Sequence, residues 1–297
     1  MTIELKSLQE CATEALPAFV DLVDAEFLRA RGRSGSALER YPSLFDAHNL
    51  NNLHTAWFGE QLAGTVAVKE FKLEIGPKNF DGAMLGFVCV NPEIRGQGVG
   101  SKLIAHVTQL LAAKELSFSV LWTTRPDFYQ RFGWKTNDQG VIGELTSPKK
   151  LDESISPKCL RESWQLIEEI RLNSREAKVQ RVRTDYRVVP CPVKEVFCFL
   201  KSGKTEGAYA IVGSNGSTGI VYELVGYPAQ FPVVWSDVCG RFNRILINDC
   251  VGTPSYQWLS QNTDVNWKLQ NQAMWILGPN SGSVSIEQLY VPYFDRI

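Results

Sequence analysis

Gly86 to Leu111 reads "GFVCVNPEIRGQGVGSKLIAHVTQLL", and this stretch decides the fold. A run of β-formers meets Asn91 and Pro92, and Pro92 closes the strand because it cannot donate to a ladder. Arg95 follows, then Gly96, Gly98 and Gly100, and at once a helical stripe of Val99, Leu103, Ile104, Val107, Leu110 and Leu111. The start of a helix leaves backbone N–H groups without carbonyl partners, and its dipole favours anions. Glycines there let the backbone approach a phosphate with no Cβ in the way, and Arg95 adds a fixed positive charge. Arg95, Gly96, Gln97, Gly98, Val99, Gly100 and Ser101 are therefore candidates to cradle a pyrophosphate. On glycine content alone, a strand-to-helix turn without a ligand reads equally well. Two other phosphate loops do not fit. A P-loop needs GxxxxGK[ST], and Lys102 follows Ser101 in the wrong frame; a dinucleotide fingerprint needs GxGxxG, and Gly100 falls one position short.

Outward from this stretch, "MTIELKSLQE" alternates as a first strand, and Leu16, Phe19, Val20, Leu22, Val23, Phe27 and Leu28 recur at helical spacing. "RARGRSGSALERYPSLF" is a Gly-, Ser- and Arg-rich loop or helix–loop–helix. "LHTAWFGEQLAGTVAVKEFKLE" has the form of a hairpin, "AMLGFVCV" is a fourth strand and "FSVLWTT" a fifth. "RPDFYQRFGW" reads as a short helix ending near Gly133, and "VIGEL" as a strand closing the first half. The polar, proline-bearing "TSPKKLDESISPK" places a boundary there: a domain over 1–146, a linker over 147–158 and a second α+β domain over 159–297. In that second half Trp164, Ile167, Ile170 and Val179 suggest a helix, and "VVWSDVCGRFNR" another. "EVFCFL", "GAYAIVG", "GIVYELVG", "RILINDC", "AMWILG" and "SIEQLYV" are its strand candidates. The order of elements echoes the first half without letter-by-letter similarity, which leaves a duplication open.

A chain of 297 residues suits two domains better than one core. Hydrophobic residues at 44% and charged residues at 21% are ordinary for a soluble globular protein. A net charge of −1 argues against nucleic-acid binding by bulk charge. No apolar run approaches the roughly 20 residues that span a bilayer, and the N-terminus carries no secretory signal pattern. Seven cysteines without a CxxC pair suit reduced thiols in a cytoplasm. His48, His54 and His106 make no zinc pattern and no GxSxG elbow occurs, so neither a metal enzyme nor a histidine-triad hydrolase is expected.

"VNPEIRGQGVGSKLI" resembles the acyl-CoA loop of the GNAT superfamily of N-acetyltransferases: a strand, a V-x-P-x-x-R-G-x-G-x-G/A turn, then a helix. "FYQRFGW", Phe128 to Trp134, resembles the family's second landmark, and the two stand one helix and one strand apart, as in the family. The resemblance covers roughly residues 1 to 145. It implies an α+β fold with a mixed, curved sheet flanked by helices, its fourth and fifth strands splayed to admit pantetheine. It implies that the backbone of Val88, Cys89 and Val90 meets the pantetheine and acetyl carbonyl, and that the N–H groups of Arg95 to Ser101 hold the pyrophosphate. The asparagine that commonly precedes the Tyr-bearing helix is missing from "TTRPDFY", where Thr124 or Arg125 stands instead.

The activity so implied is transfer of an acetyl group from acetyl-CoA to a primary amine in a ternary complex, with no metal. The acceptor would be a small amine, an antibiotic aminoglycoside, a peptide N-terminus or a lysine side chain. Aminolysis needs a neutral amine, a donor for the oxyanion and a proton for the departing thiolate. Tyr129 matches the family position for that proton. Glu26, Glu70 and Glu74 are carboxylates to weigh as a base, with solvated surface positions the simpler account of each. Strand alternation puts the Cys89 side chain opposite Val88 and Val90, as a core cysteine and not a nucleophile. The alternative function is an acyl-CoA-binding sensor without turnover. The second half offers no cradle: "GIVYELVGYP" runs into "AQFPVVWSDVCGR", where Pro232 removes an N–H donor, so one CoA per chain is expected. Trp164, Trp235, Trp258, Trp267 and Trp275 lie in that half as core or as walls of a junction pocket.

Overall fold

The computed structural model describes residues 2–12, 14–146, 148, 156–173, 178–201, 206–282 and 284–297. The first part of the chain runs β1 (Ile3–Ser7), α1 (Ala15–Phe27), α2 (Ala37–Arg40), β2 (Leu53–Phe58), β3 (Gln61–Ile75), β4 (Lys78–Val90) and α3 (Val99–Ala113). It continues with β5 (Phe118–Trp122), α4 (Pro126–Gln130), β6 (Lys135–Thr136) and β7 (Gly140–Thr146). The second part runs β8 (Lys158–Cys159), α5 (Leu160–Leu172), β9 (Lys178–Val179), β10 (Glu195–Lys201), β11 (Ala208–Asn215), β12 (Thr218–Gly226) and α6 (Phe231–Arg241). It ends with β13 (Arg244–Cys250), α7 (Pro254–Asn262), β14 (Asn266–Leu269) and β15 (Ala273–Leu277). Most of the expected 147–158 linker lies outside the described residues.

The elements form an α+β molecule with two mixed sheets. One has the order β1-β2-β3-β4-β5-β15-β6, with β9 added to β3, and the other β14-β7-β13-β12-β11-β10-β8. In each sheet one pair is parallel: Gly82–Leu85 of β4 beside Phe118–Leu121 of β5, and Thr218–Val221 of β12 beside Arg244–Ile247 of β13. A helix bridges each parallel pair, α3 in one and α6 in the other, as parallel strands require a crossover. The apolar stripe of α3, Val99, Leu103, Ile104, Val107 and Leu111, is buried with Ala63, Val66 and Leu85 of the sheet. It packs so closely that a Cβ at Gly64 on β3 would lie 2.9 Å from the Cys89 carbonyl and 3.0 Å from Leu103. Phe231, Val234, Trp235 and Val238 of α6 cover the second sheet in the same way.

The sheets trade strands. "VIGEL", expected to close the first half, is β7 and pairs with β13 along its whole length, from Gly140↔Cys250 to Thr146↔Arg244. In return β15, the "AMWILG" of the second half, fills the slot between β5 and β6. The alternation of a strand specifies which face is buried but not which edge receives it, so the sequence reading assigned each strand to its neighbours in the chain. Three further readings need correction. Val179 is not in the helix, which stops at Leu172; it sits in β9, paired with Leu73. "SIEQLYV" is a single 3-10 turn, Ile286–Gln288, followed by chain without a ladder. The helix α7 and strand β14 were not anticipated, although Thr253 caps α7 from Tyr256 N–H at 3.1 Å with Pro254 beside it, a legible start signal.

Polar contacts lock the parts together. Arg40 donates to the Val193 carbonyl at 2.8 Å and the Val189 carbonyl at 3.2 Å, and Lys69 pairs with Asp185 at 2.7 Å. Arg181, its side chain 1% exposed, holds Glu223 at 2.7 Å and Asp295 at 2.6 Å. No helix among the described residues is long and apolar enough to cross a membrane.

Candidate functional site

The two parallel strands of the first sheet stop pairing at Leu85↔Leu121, and β4 runs on to Val90 without β5. What turns it away is a bulge. The β3–β4 register shifts between Thr65↔Cys89 and Ala67↔Gly86, and Phe87 takes φ +47°, a left-handed conformation unusual for a bulky residue. The Thr65 hydroxyl stabilises this kink by donating to the Phe87 carbonyl at 3.0 Å. Phe27, Tyr41 and Phe45 pack around the Phe87 ring at centroid distances of 5.3, 5.4 and 6.2 Å. The sequence reading did not single out Phe87, because a bulge follows from a ladder register that no local pattern carries.

Val88 and Val90 pack with the α3 core, whereas Cys89 packs with the α1 side. Cys89 is 8% exposed, and burial pushes its thiol up to about 12, against the hydrogen bond from Thr65. It is a protonated core thiol. At the end of β4 a short 3-10 turn, Pro92–Ile94, leads into the glycines. Gly96 and Gly98 have φ of +83° and +80°, and a Cβ at either would meet no protein atom within 4 Å. The left-handed turn thus faces open space, where a side chain would stand in the way of a ligand. Gly98 is the N-cap of α3, and the first bond of the helix runs from Lys102 N–H to the Gly98 carbonyl at 3.0 Å. The N–H groups of Val99, Gly100 and Ser101 therefore have no carbonyl in the preceding turn.

Two guanidinium groups flank this helix start. Arg95 donates from Nε to the Val90 carbonyl at 3.2 Å and forms an ion pair with Glu26 of α1. Arg131 donates to the Ser101 hydroxyl at 2.9 Å and lies over the Phe128 and Phe132 rings at 4.5 and 5.0 Å. Arg131 was missed by the sequence reading, though it is the arginine of "FYQRFGW". The cradle residues present, backbone N–H groups without Cβ obstruction and two cations, fit a diphosphate.

Tyr129 on α4 is 9% exposed, and burial pushes its phenol up to about 12 despite the nearby Arg125. It keeps its proton through the neutral range. Arg125 N–H donates to the Thr123 hydroxyl at 2.9 Å, at the place where the family's asparagine is missing. Of the three carboxylates weighed as a base, Glu70 pairs with Lys114, Glu74 approaches Lys178 at 3.6 Å, and Glu26 alone stands at the cleft beside Arg95. His106 faces His54 at 6.0 Å between ring centroids, away from the cradle.

The chain's last described residues reach this cleft. A Cβ at Gly86 would come within 2.8 Å of the Ile297 backbone, and the Arg296 guanidinium lies 4.7 Å from the Trp122 ring centre. Of the five tryptophans of the second half, Trp235 and Trp275 are buried in cores, and Trp275 serves the first sheet.

Comparison with known proteins agrees with this geometry. Residues 7–136 match the acetyltransferase (GNAT) domain family. A peptidyl-lysine N-acetyltransferase of Salmonella typhimurium, YjaB, is 26% identical over 92 residues, which are 31% of this chain and 63% of that protein. The chain thus matches less than two thirds of that relative's length. Among solved structures, a probable N-acyltransferase of unknown function from Enterococcus faecalis V583 superposes with a TM-score of 0.71 at 18% identity, covering 93% of this chain and 72% of that one. A GCN5-related N-acetyltransferase from Anabaena variabilis gives 0.71 at 13% identity, covering 93% and 73%. At these identities the structural likeness speaks to the fold. The match to the GNAT acetyltransferase family thus spans residues 7–136, and the likeness in fold to the solved structures extends over most of the chain's length.

Proposed function

We propose that the protein transfers an acetyl group from acetyl-CoA to a primary amine by direct attack. The observation that carries this reading is the helix start at Gly98, open to a ligand and flanked by Arg95 and Arg131, beside a strand turned out of its ladder at Phe87. The N–H groups from Arg95 to Ser101 hold the diphosphate, and the backbone of Val88 to Val90 meets the pantetheine arm and the thioester carbonyl. Tyr129 is the proton donor to the departing thiolate, since its phenol is still protonated where a thiolate leaves. Cys89 supports direct attack over an acyl-enzyme, because its thiol is buried, protonated and on the far face. Glu26, which pairs with Arg95 of the cradle, is the carboxylate we assign to take the proton of the acceptor amine. The acceptor class follows the YjaB relative, a lysine side chain on a peptide.

Calorimetry with acetyl-CoA should give one equivalent per chain. Gly98→Leu should abolish the binding heat while the circular dichroism spectrum stays as in the wild type. The left-handed conformation costs a side chain about 1–2 kcal/mol, too little to unfold a domain. Undiminished affinity in that variant would remove the cradle from the site. CoA release on addition of a lysine peptide then separates an enzyme from a sensor that binds without turnover.

A further inference from the structure

The second sheet has its own cleft. Pairing of β12 with β13 stops at Val221↔Ile247, both strands continue, and a cavity of about 410 Å³ opens beyond the divergence. That volume lies in the range of small-molecule sites. Leu224 and Val225 of β12 and Asn248 and Asp249 of β13 line it, Thr253 and Ser255 stand at the start of α7, and the segment Glu287–Tyr290 lies across it. Nothing in the acetyltransferase chemistry derived above uses this space.

The charge in its walls is committed unevenly. Arg181 is held by Glu223 and Asp295. Arg171 donates to Glu168 at 2.9 Å and to the Val179 carbonyl at 2.6 Å. Lys178 reaches the Leu172 carbonyl at 3.2 Å, with Glu74 at 3.6 Å. Asp249 differs from all of these. It is 8% exposed, and its Oδ1 accepts from the Thr253 hydroxyl and the Cys250 N–H, each at 2.7 Å. The Ser255 hydroxyl adds a further hydrogen bond. All three donors are neutral, and no cation pairs with Asp249 among the described residues. Burial pushes its carboxyl up to about 6, so at neutral pH the fold carries a buried carboxylate that lacks a counter-charge. Glu287, exposed on the segment across the cavity, adds a second negative charge, and Tyr290 supplies an aromatic wall, with the Arg296 guanidinium 5.8 Å from its ring centre.

We propose that this cleft is a second ligand site and that it takes a small organic cation, seated against Asp249 beside Tyr290. A bound ammonium supplies the charge Asp249 lacks, and attraction to a buried carboxylate favours a cation over a neutral molecule of the same shape. An anion is disfavoured because each basic group in the walls already holds an acid or carbonyl. The occupant also touches the strap from Ser285 to Ile297, whose Leu289 and Tyr290 line this cleft and whose Ile297 rests on Gly86 of the acyl site.

Choline is the probe, because its quaternary nitrogen has no N–H to acetylate and it cannot be consumed at the first site. Choline should bind the full-length protein in calorimetry, and its neutral isostere 3,3-dimethyl-1-butanol should bind at least about tenfold more weakly. Asp249→Asn, which keeps size and removes the charge, should weaken choline about tenfold or more. Choline should also slow amide hydrogen exchange over residues 286–292 in the wild type and leave it unchanged in the variant. Equal affinity for choline and the isostere, no binding of choline at millimolar concentration, or protection that survives in Asp249→Asn would each overturn the proposal. The isostere comparison needs only the wild-type protein, so it decides the matter even if the variant fails to fold.

Discussion

Tyr129 and Cys89 show how burial sorts two groups of similar intrinsic acidity into different roles. Both are pushed up to about 12, and both remain protonated in the neutral range. For a thiol that state is inert, since the thiolate is the nucleophile. For a phenol meant to give a proton it is the working form. Tyr129→Phe should therefore lower kcat by about 10² or more and leave the acetyl-CoA dissociation constant nearly unchanged, because only the transition state loses an interaction. The sign of the pH effect follows from the raised value. The acid form persists below about 12, so the wild-type rate should show no falling limb from Tyr129 between pH 6 and 9. Wild-type turnover in the Phe variant would leave Tyr129 a packing residue beside Phe128, whose ring it meets edge-on at 4.9 Å.

At the scale of elements, the exchange of β7 and β15 controls the acyl cleft. β5 forms one wall of the splay, and its other edge is covered by β15 through five residue pairs, Ala273↔Trp122 to Leu277↔Phe118. Trp275 anchors that strand. It is 1% exposed, its indole N–H donates to the Asn137 carbonyl at 2.6 Å, and its ring meets Phe118 at 5.7 Å. Trp275→Ala leaves a cavity under β5 and should destabilise the protein by about 3–5 kcal/mol, read as a lower urea midpoint at an unchanged slope. A loss under about 1 kcal/mol would mean that β15 lies on the first sheet without bracing it. The tight seat of α3 over Gly64 fixes the other wall, because the helix start can hold its position relative to Val90 only while that glycine admits it.

For the whole molecule, the reciprocal exchange makes the two sheets dependent on one another. A fragment of residues 1–146 would carry β7 without β13 and leave β5 without β15, two unpaired edges in one chain. It should fail to give a folded monomer by near-ultraviolet circular dichroism and size-exclusion chromatography. The intact protein should unfold in one calorimetric transition. A soluble, cooperatively folding 1–146 fragment would show that the first sheet closes without the strand it receives. Arg181 strengthens the dependence, since it ties β12 through Glu223 to the strap through Asp295 with all three side chains buried. Removing one partner from such a cluster leaves an uncompensated charge.

The amino-acid sequence by itself determined what depends on neighbours in the chain. The strand, turn and helix around Gly96–Gly100 are legible because proline, glycine and a 3.6-residue stripe act within a few positions of one another. The same holds for α1 and for the meander β10–β11–β12, whose nearly unbroken apolar runs mark strands buried on both faces. Tertiary structure alone decided which sheet receives β7 and β15. The choice rests on edges brought together from 98 to 159 residues apart in the chain, from Thr146↔Arg244 to Phe118↔Leu277. It alone decided the bulge at Phe87, which exists only as a mismatch between the lengths of β3 and β4 across a ladder. It also decided the state of Asp249, an ordinary acid in "RILINDC" that becomes a buried charge without a partner once β12, β13 and α7 close around it. Burial and pairing are sums over the whole chain, and no short stretch of sequence contains them.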